Sequence, residues 1–191
     1  MKRFSEYLDN VVAGRVSQKL IIFDVDDTLI HTTANIWVMK DGKRVKKITN
    51  SQYNNYSLKN GEYFDYSEFD DPDILANEEF TKYWDTLKRE YNKGSHICIL
   101  TARGSVDMVR TFLIKNGIDI KKGLVFATGD PSLGLIGNVQ ERKASVISLL
   151  YNKGYRQFIF FDDNEGNLRS VKNMEAKLPI KIIAIKAQKG S

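Results

Sequence analysis

The sequence predicts an α/β fold, a parallel sheet with helices on both faces, from three observations. Short apolar runs alternate with segments of helical periodicity over most of the chain. The first run, Leu20 to Phe23, is apolar throughout, the mark of a strand buried on both faces. It runs directly into Asp24, and polar residues recur where later apolar runs end, as they do when the carboxyl edge of an open sheet carries a ligand site.

Size and composition agree with one soluble domain. The chain has 191 residues, 42% hydrophobic and 28% charged, enough to bury a good core. No apolar stretch approaches a membrane span, so no membrane partner is expected. Charges interrupt the apolar residues at the amino terminus, unlike a signal peptide. The single cysteine, Cys98, falls in an apolar run and has no internal partner, which favours a reducing cytoplasm. A net charge of +5 permits an anionic partner without demanding one.

In chain order, Phe4, Tyr7, Leu8, Val11 and Val12 follow helical spacing up to Gly14, predicting a helix packed on the core. The strand Leu20–Phe23 follows. Residues 35–76 read as an insert within the domain. Its Asp41-Gly42, between the β-forming runs 36–40 and 43–49, predicts a tight hairpin. Asn60-Gly61 predicts a second turn between Tyr56-Ser57-Leu58 and Tyr63-Phe64. Asp65, Glu68, Asp70, Asp71 and Asp73, gathered around Pro72, predict a solvated loop. Then come a helix capped by Asn77 with Phe80, Tyr83, Trp84, Leu87 and Tyr91 on its apolar face, a strand over 96–100, and a helix capped by Ser105. A short strand over 124–127 leads to a glycine-rich loop and a helix over about 139–152. A strand over 158–161, a helix near 166–175 and a strand over 180–185 complete the chain.

The polar strand ends are the candidate site. Asp24 and Asp26 are two apart on extended backbone, so they address one region while Val25 turns into packing. Two carboxylates about 4 Å apart repel by roughly 4 kcal/mol at an effective dielectric near 20, which calls for a cation, a shared proton or a basic neighbour. Thr101 and Arg103 end the second strand, Asp162 and Asp163 the fourth, and Lys143 stands near the start of its helix. Each has a plainer alternative. Asp27 or Thr28 can cap a helix starting after the first strand, Lys143 can be an exposed helix lysine, and Asp163 can be a helix cap. Arg103 is either a salt-bridge partner or a second contact to a substrate phosphate. His31 reads as structural and Asn138 as a cap. His31, His96 and Cys98 lack the ligand spacing of a zinc site.

Four segments in this order, IIFDVDDTL, ICILTAR, QERKASVI and FIFFDDN, resemble the haloacid dehalogenase superfamily of phosphohydrolases, with some likeness to its polynucleotide-phosphatase branch. The resemblance spans residues 19–187 apart from the insert. It implies a three-layer sandwich with sheet order 3-2-1-4-5. It implies Asp24 as the nucleophile that takes the phosphoryl group, and Asp26 as the proton donor and then base. Thr101 and Lys143 would hold phosphoryl oxygens. Asp24, the backbone carbonyl of Asp26 and one or both of Asp162 and Asp163 would bind Mg²⁺. Hard oxygen ligands independently suit that ion, and a phosphate dianion needs intervening positive charge to approach an aspartate.

The insert carries Lys40, Lys43, Arg44, Lys46 and Lys47 around its hairpin, followed by Tyr53, Tyr56, Tyr63, Phe64 and Tyr66. Basic residues interleaved with rings suit a nucleotide or a single-stranded nucleic-acid end, with Lys43 and Arg44 as candidate substrate contacts. Alternatively, the lysines guard an exposed edge while the tyrosines pack beneath it. The expected activity is a Mg²⁺-dependent phosphomonoesterase acting on a nucleotide or nucleic-acid terminal phosphate. The alternatives are a phosphatase of sugar phosphates and similar metabolites, or a non-catalytic module that accepts a phosphoryl group.

Overall fold

The computed structural model describes residues 19–53 and 56–188; the helix expected over residues 4–14 lies outside them. The chain divides into two compact units, with Thr32–Glu78 forming the second. The expected insert, 35–76, falls inside it.

The first unit is built on five parallel strands: β1 (Lys19–Phe23), β7 (Ile97–Thr101), β8 (Val125–Ala127), β9 (Gln157–Asp162) and β10 (Lys181–Lys186). Their spatial order is β10-β9-β1-β7-β8. The expected numbers 3-2-1-4-5 become 8-7-1-9-10, because five short strands within residues 30–80 fall between the first two strands of this sheet in sequence and pair outside it. β1 is central, with Phe23 beside Ile99 of β7 and Phe161 of β9. Parallel strands bring all their carboxyl ends to one edge, so Asp24, Thr101 and Asp162 arrive there together.

Both faces of β1 are covered, which is why its apolar run is continuous. Leu20 and Ile22 join Phe158, Phe160, Val146, Ile147, Leu150, Leu168 and Val171 in one core, under α5 (Val139–Asn152) and α6 (Glu165–Lys172). On the other face Phe23 stacks on Phe161 at 4.7 Å, and Tyr83 of α3 (Lys82–Asn92) reaches Phe161. Trp84 of α3 meets Phe112 of α4 (Val106–Lys115). Each large side chain so buried contributes about 1.5–3 kcal/mol.

Several helix ends follow from sequence. Ser105 accepts from the Met108 N–H, and Asn138 with Glu141 forms a reciprocal capping box. The cap of α3 does not: Thr81, not Asn77, accepts from the Tyr83 N–H. Asn77 instead ends α2 (Pro72–Ala76). Glu79–Phe80, expected in the first turn of α3, form strand β6, antiparallel to β2 (Ile30–His31). Phe80 still stacks on Trp84 at 4.2 Å, so its apolar role survives the change of element.

The second unit contains β3 (Ile36–Lys40), β4 (Lys43–Ile48), α1 (Asn50–Tyr53) and β5 (Glu62–Asp65). Asp41 and Gly42 both have positive φ, 49° and 74°, as a type I′ hairpin turn requires. The second expected turn, at Asn60-Gly61, is present. Gly61 turns at φ 78°, but β5 pairs with β3, not with residues 56–58, giving the sheet β4-β3-β5. Ile36, Val38 and Ile48 are buried there with Tyr53, Tyr56, Phe64 and Phe69 packed against them.

The acidic segment is not the expected solvated loop. Asp71 caps α2, and Glu68 receives three hydrogen bonds. The Trp37 indole N–H donates at 2.6 Å, the Asn35 backbone N–H at 2.8 Å and its side-chain amide at 3.0 Å. Burial raises the pKa of Glu68, but these donors outweigh it and hold the carboxyl below its usual value. The stability this lends is present above the unfolded value and is lost as pH falls through the lowered one. In a Trp84→Phe background, Trp37 fluorescence should therefore report an acid transition that lies below the ordinary glutamate range. Glu68→Gln should lose about 1–2 kcal/mol in this unit and abolish that transition.

Candidate active site

β1 delivers its carboxylates through a turn wound around one carbonyl. The Asp24 N–H donates to Phe161 O at 2.9 Å, which registers the strand end against β9. The Val25 carbonyl then accepts from the N–H groups of Thr28, Leu29 and Ile30 at 3.3, 2.8 and 3.2 Å. Such tight reversal puts Asp27 at φ 54°, in the left-handed region that aspartate tolerates better than most residues. No helix starts here, so the reading of Asp27 or Thr28 as a helix cap is overturned. Val25 is buried, as its alternation with Asp24 and Asp26 requires.

Three of the predicted residues meet around one ammonium. Lys143 is 1% exposed, so the alternative of a solvated helix lysine is excluded. Its Nζ lies 2.7 Å from Asp162 Oδ2 and 3.0 Å from Asp24 Oδ1. The capping box at Asn138 sets the phase of α5, turning Lys143 inward one turn later. Burial pulls the Lys143 pKa down, but the carboxylates of Asp162 and Asp24 outweigh it and hold it above the ordinary lysine value.

For Asp24, burial is the largest cause of a carboxyl held well above its ordinary value. Lys143 opposes the shift, while Asp162, Asp163 and Asp26 add to it. Its Oδ1 is buried and, although close to Lys143, receives no directed hydrogen bond.

Asp162 is fully enclosed and well supplied. Its Oδ1 accepts from the Asn164 N–H at 2.8 Å, and the Asn167 amide donates to Oδ1 and Oδ2 at 3.0 and 3.1 Å. Asn164 also caps α6, accepting from the N–H groups of Gly166 and Asn167. Asn167 was missed from sequence. Its signal was a polar residue four positions before Val171, on the buried stripe of α6.

Asp24, Asp162 and Asp163 each offer a carboxylate oxygen, all within 4.8 Å of one another. The set fits a cation: its donors are hard oxygens, and three clustered carboxylates outnumber the one ammonium paired with them, so that the Asp24 carboxyl is still held above its ordinary value. Nothing in the donor set identifies Mg²⁺ over other hard divalent ions.

The side chain of Asp26 is engaged elsewhere. Arg103 Nε donates to its Oδ2 at 3.0 Å and Nη2 to its Oδ1 at 2.6 Å, a bidentate pair. Of the two alternatives for Arg103, the salt bridge is therefore the one observed. Thr101 is fully buried, and its hydroxyl accepts from the Arg103 N–H at 3.3 Å.

Lys43 and Arg44 stand on β4 in the second unit. All five residues from Lys43 to Lys47 are exposed on this edge strand. Arg44 lies over the Trp37 ring at 4.8 Å and pairs with Asp65 at 3.2 Å; Lys46 lies over Tyr56 at 4.7 Å. Tyr53 packs edge to face on Phe64 and Tyr66, Tyr56 edge to face on Phe64, and Phe64 lies tilted against Tyr66, the structural role offered as the alternative to base stacking.

Among the described residues no helix is long and apolar enough to cross a membrane. No family model matches the chain, and no curated protein matches it. Among solved structures, the crystal structure of hypothetical protein PH1952 from Pyrococcus horikoshii OT3 aligns over 86% of this chain at 16% identity and a TM-score of 0.25. The alignment spans 40% of that protein, and at this TM-score the likeness carries no argument about function.

Proposed function

We propose that the chain is a divalent-cation-dependent phosphomonoesterase of the haloacid dehalogenase type, acting on a nucleotide or nucleic-acid terminal phosphate. The observation that carries this reading is the buried Lys143 ammonium between Asp24 and Asp162, with Asp163 beside them. In a structural ion pair one carboxylate would suffice; two on one ammonium, with a third carboxylate close by, suit a site that takes further positive charge and an anionic substrate.

Asp24, Asp162, Asp163 and the backbone carbonyl of Asp26 would hold Mg²⁺. That ion would supply the charge that lets a phosphate approach a carboxylate. Asp24 attacks phosphorus, forming an aspartyl phosphate as the bond to the leaving alkoxide breaks, and Asp26 gives that oxygen its proton. Water then attacks the same phosphorus, passes its proton to Asp26, and frees Asp24 and inorganic phosphate. Thr101 and Lys143 hold the phosphoryl oxygens, where charge develops.

A phosphate-release panel tests the reading. Turnover is expected on nucleotides and on phosphorylated oligonucleotide ends, lost with chelator and restored by Mg²⁺. Chelator-resistant turnover would overturn the metal assignment. Preference for free sugar phosphates would place the substrate among small metabolites. Stoichiometric phosphorylation without turnover would leave a phospho-accepting module.

The basic edge of the second unit favours a polyanionic substrate. Neutralising Lys43, Arg44, Lys46 and Lys47 should raise KM for a phosphorylated oligonucleotide at least fivefold more than for a small aryl phosphate, on the order expected for lost phosphate contacts. The salt dependence of oligonucleotide binding should also flatten by roughly 2–3 in log–log slope. Equal effects on both substrates would restrict the strand to protecting a sheet edge.

A further inference from the structure

The end of β8 is locked onto the end of β7. The Thr101 carbonyl accepts from the Thr128 N–H at 2.8 Å and from the Thr128 hydroxyl at 3.1 Å, and the Arg103 carbonyl accepts from the Gly129 N–H at 3.0 Å. A methyl group on Gly129 would stand 2.5 Å from Ala102 O and 2.9 Å from Arg103 O. Close approach to the 101–103 backbone is thus what demands glycine here. The Arg103 side chain is itself 0% exposed, with two of its nitrogens on Asp26.

We propose that Arg103 is the positioning residue for Asp26, seated by the Thr128–Gly129 turn, and not a ligand of the substrate phosphate. The inference rests on Asp26 being the proton donor of the proposed reaction. A donor must stand about 2.6–3.2 Å from the oxygen it protonates, so its carboxylate plane has to be fixed. A guanidinium fork fixes both oxygens at once; a lysine ammonium, a point charge on a flexible stem, cannot. A phosphate-binding arginine, by contrast, presents its fork to the substrate.

The test uses the full chain with Mg²⁺ and two phosphate monoesters, one with an activated nitrophenol leaving group and one with a simple alkyl alcohol. Only the alkyl ester depends strongly on a proton donor. Asp26→Asn should lose about 100-fold or more in kcat on the alkyl ester and at least tenfold less on the aryl ester, the scale of general acid catalysis. Arg103→Lys should reproduce that selectivity with KM within about twofold of the parent, since orientation and not binding is lost. Thr128→Val should show the same pattern at smaller size, which keeps the proposal testable where Gly129→Ala fails to fold. Equal losses on both esters in Arg103→Lys, or a rise in KM on both, would overturn the positioning role and make Arg103 a phosphate ligand. Equal losses in Asp26→Asn would remove the proton-donor assignment itself, and the role of Arg103 with it.

Discussion

Asp24→Asn is expected to abolish turnover while leaving the chain folded. The substitution removes the proposed nucleophile and one proposed cation-binding oxygen together, and loss of a nucleophile costs on the order of 10⁴-fold or more in kcat. The fold should not suffer, because the ionised carboxylate is itself a burden where it sits. A carboxyl whose pKa is raised in the folded state binds more protons folded than unfolded. Stability therefore falls as pH rises from about 3.9 through the raised value. Without added metal, the variant should lack that slope and melt no lower than the parent at neutral pH. Mg²⁺ should raise the melting temperature of the parent more than that of the variant, because binding to the folded state alone stabilises it. Retention of a tenth of the parent activity would rule out the covalent route.

Lys143→Met should be the most damaging single change to stability at the site. It removes the cation that touches both Asp24 and Asp162 in a setting closed to water, and breaking such a pair by deleting one partner typically costs about 3–5 kcal/mol. Methionine fills much of the same volume, so packing loss should be minor. The deficit should shrink as pH is lowered, because a proton on Asp24, whose carboxyl is held above its ordinary value, substitutes for the missing charge, and again on adding a divalent ion. Chemical denaturation at pH 5 and pH 7, with and without Mg²⁺, reads both effects. A variant as stable as the parent at pH 7 without metal would show that the carboxylates do not need the ammonium, and the electrostatic account of the site would fail.

The chemistry-bearing parts of the fold were legible where one local signal sufficed. The uninterrupted run before Asp24 reflects a strand covered on both faces. Asn138 and Ser105 are caps whose side chains act within one turn, and Asp41-Gly42 carries its turn type in two residues. What failed depended on partners distant in sequence. Glu79–Phe80 carry helix-like neighbours, yet they pair with Ile30–His31 almost fifty residues earlier. The turn at Asn60-Gly61 was legible, but the partner of segment 62–65, β3, lies across the unit and carries no local signal. Glu68 looked like one acid among several; only folding brings Trp37 and Asn35 to it. At the site, the carboxylates and Thr101 could be placed by strand ends, and Lys143 by the resemblance of its helix segment. The supporting groups could not, because Asn167, Thr128 and Gly129 act by touching residues that sequence had already singled out. Thr128 directly follows the last residue of β8, as Asp24 follows β1, and reading every strand end alike would have found it.

One further consequence follows from the ribbon of β2 and β6. His31 and Glu79 face each other in antiparallel register, so the chain departs from the first unit and returns to it at neighbouring points, about one strand spacing apart. An excursion with so narrow a doorway makes little entropic demand on its host, whatever its length. The 32–78 segment can thus be lengthened, exchanged or lost in descent without re-registering the parallel strands.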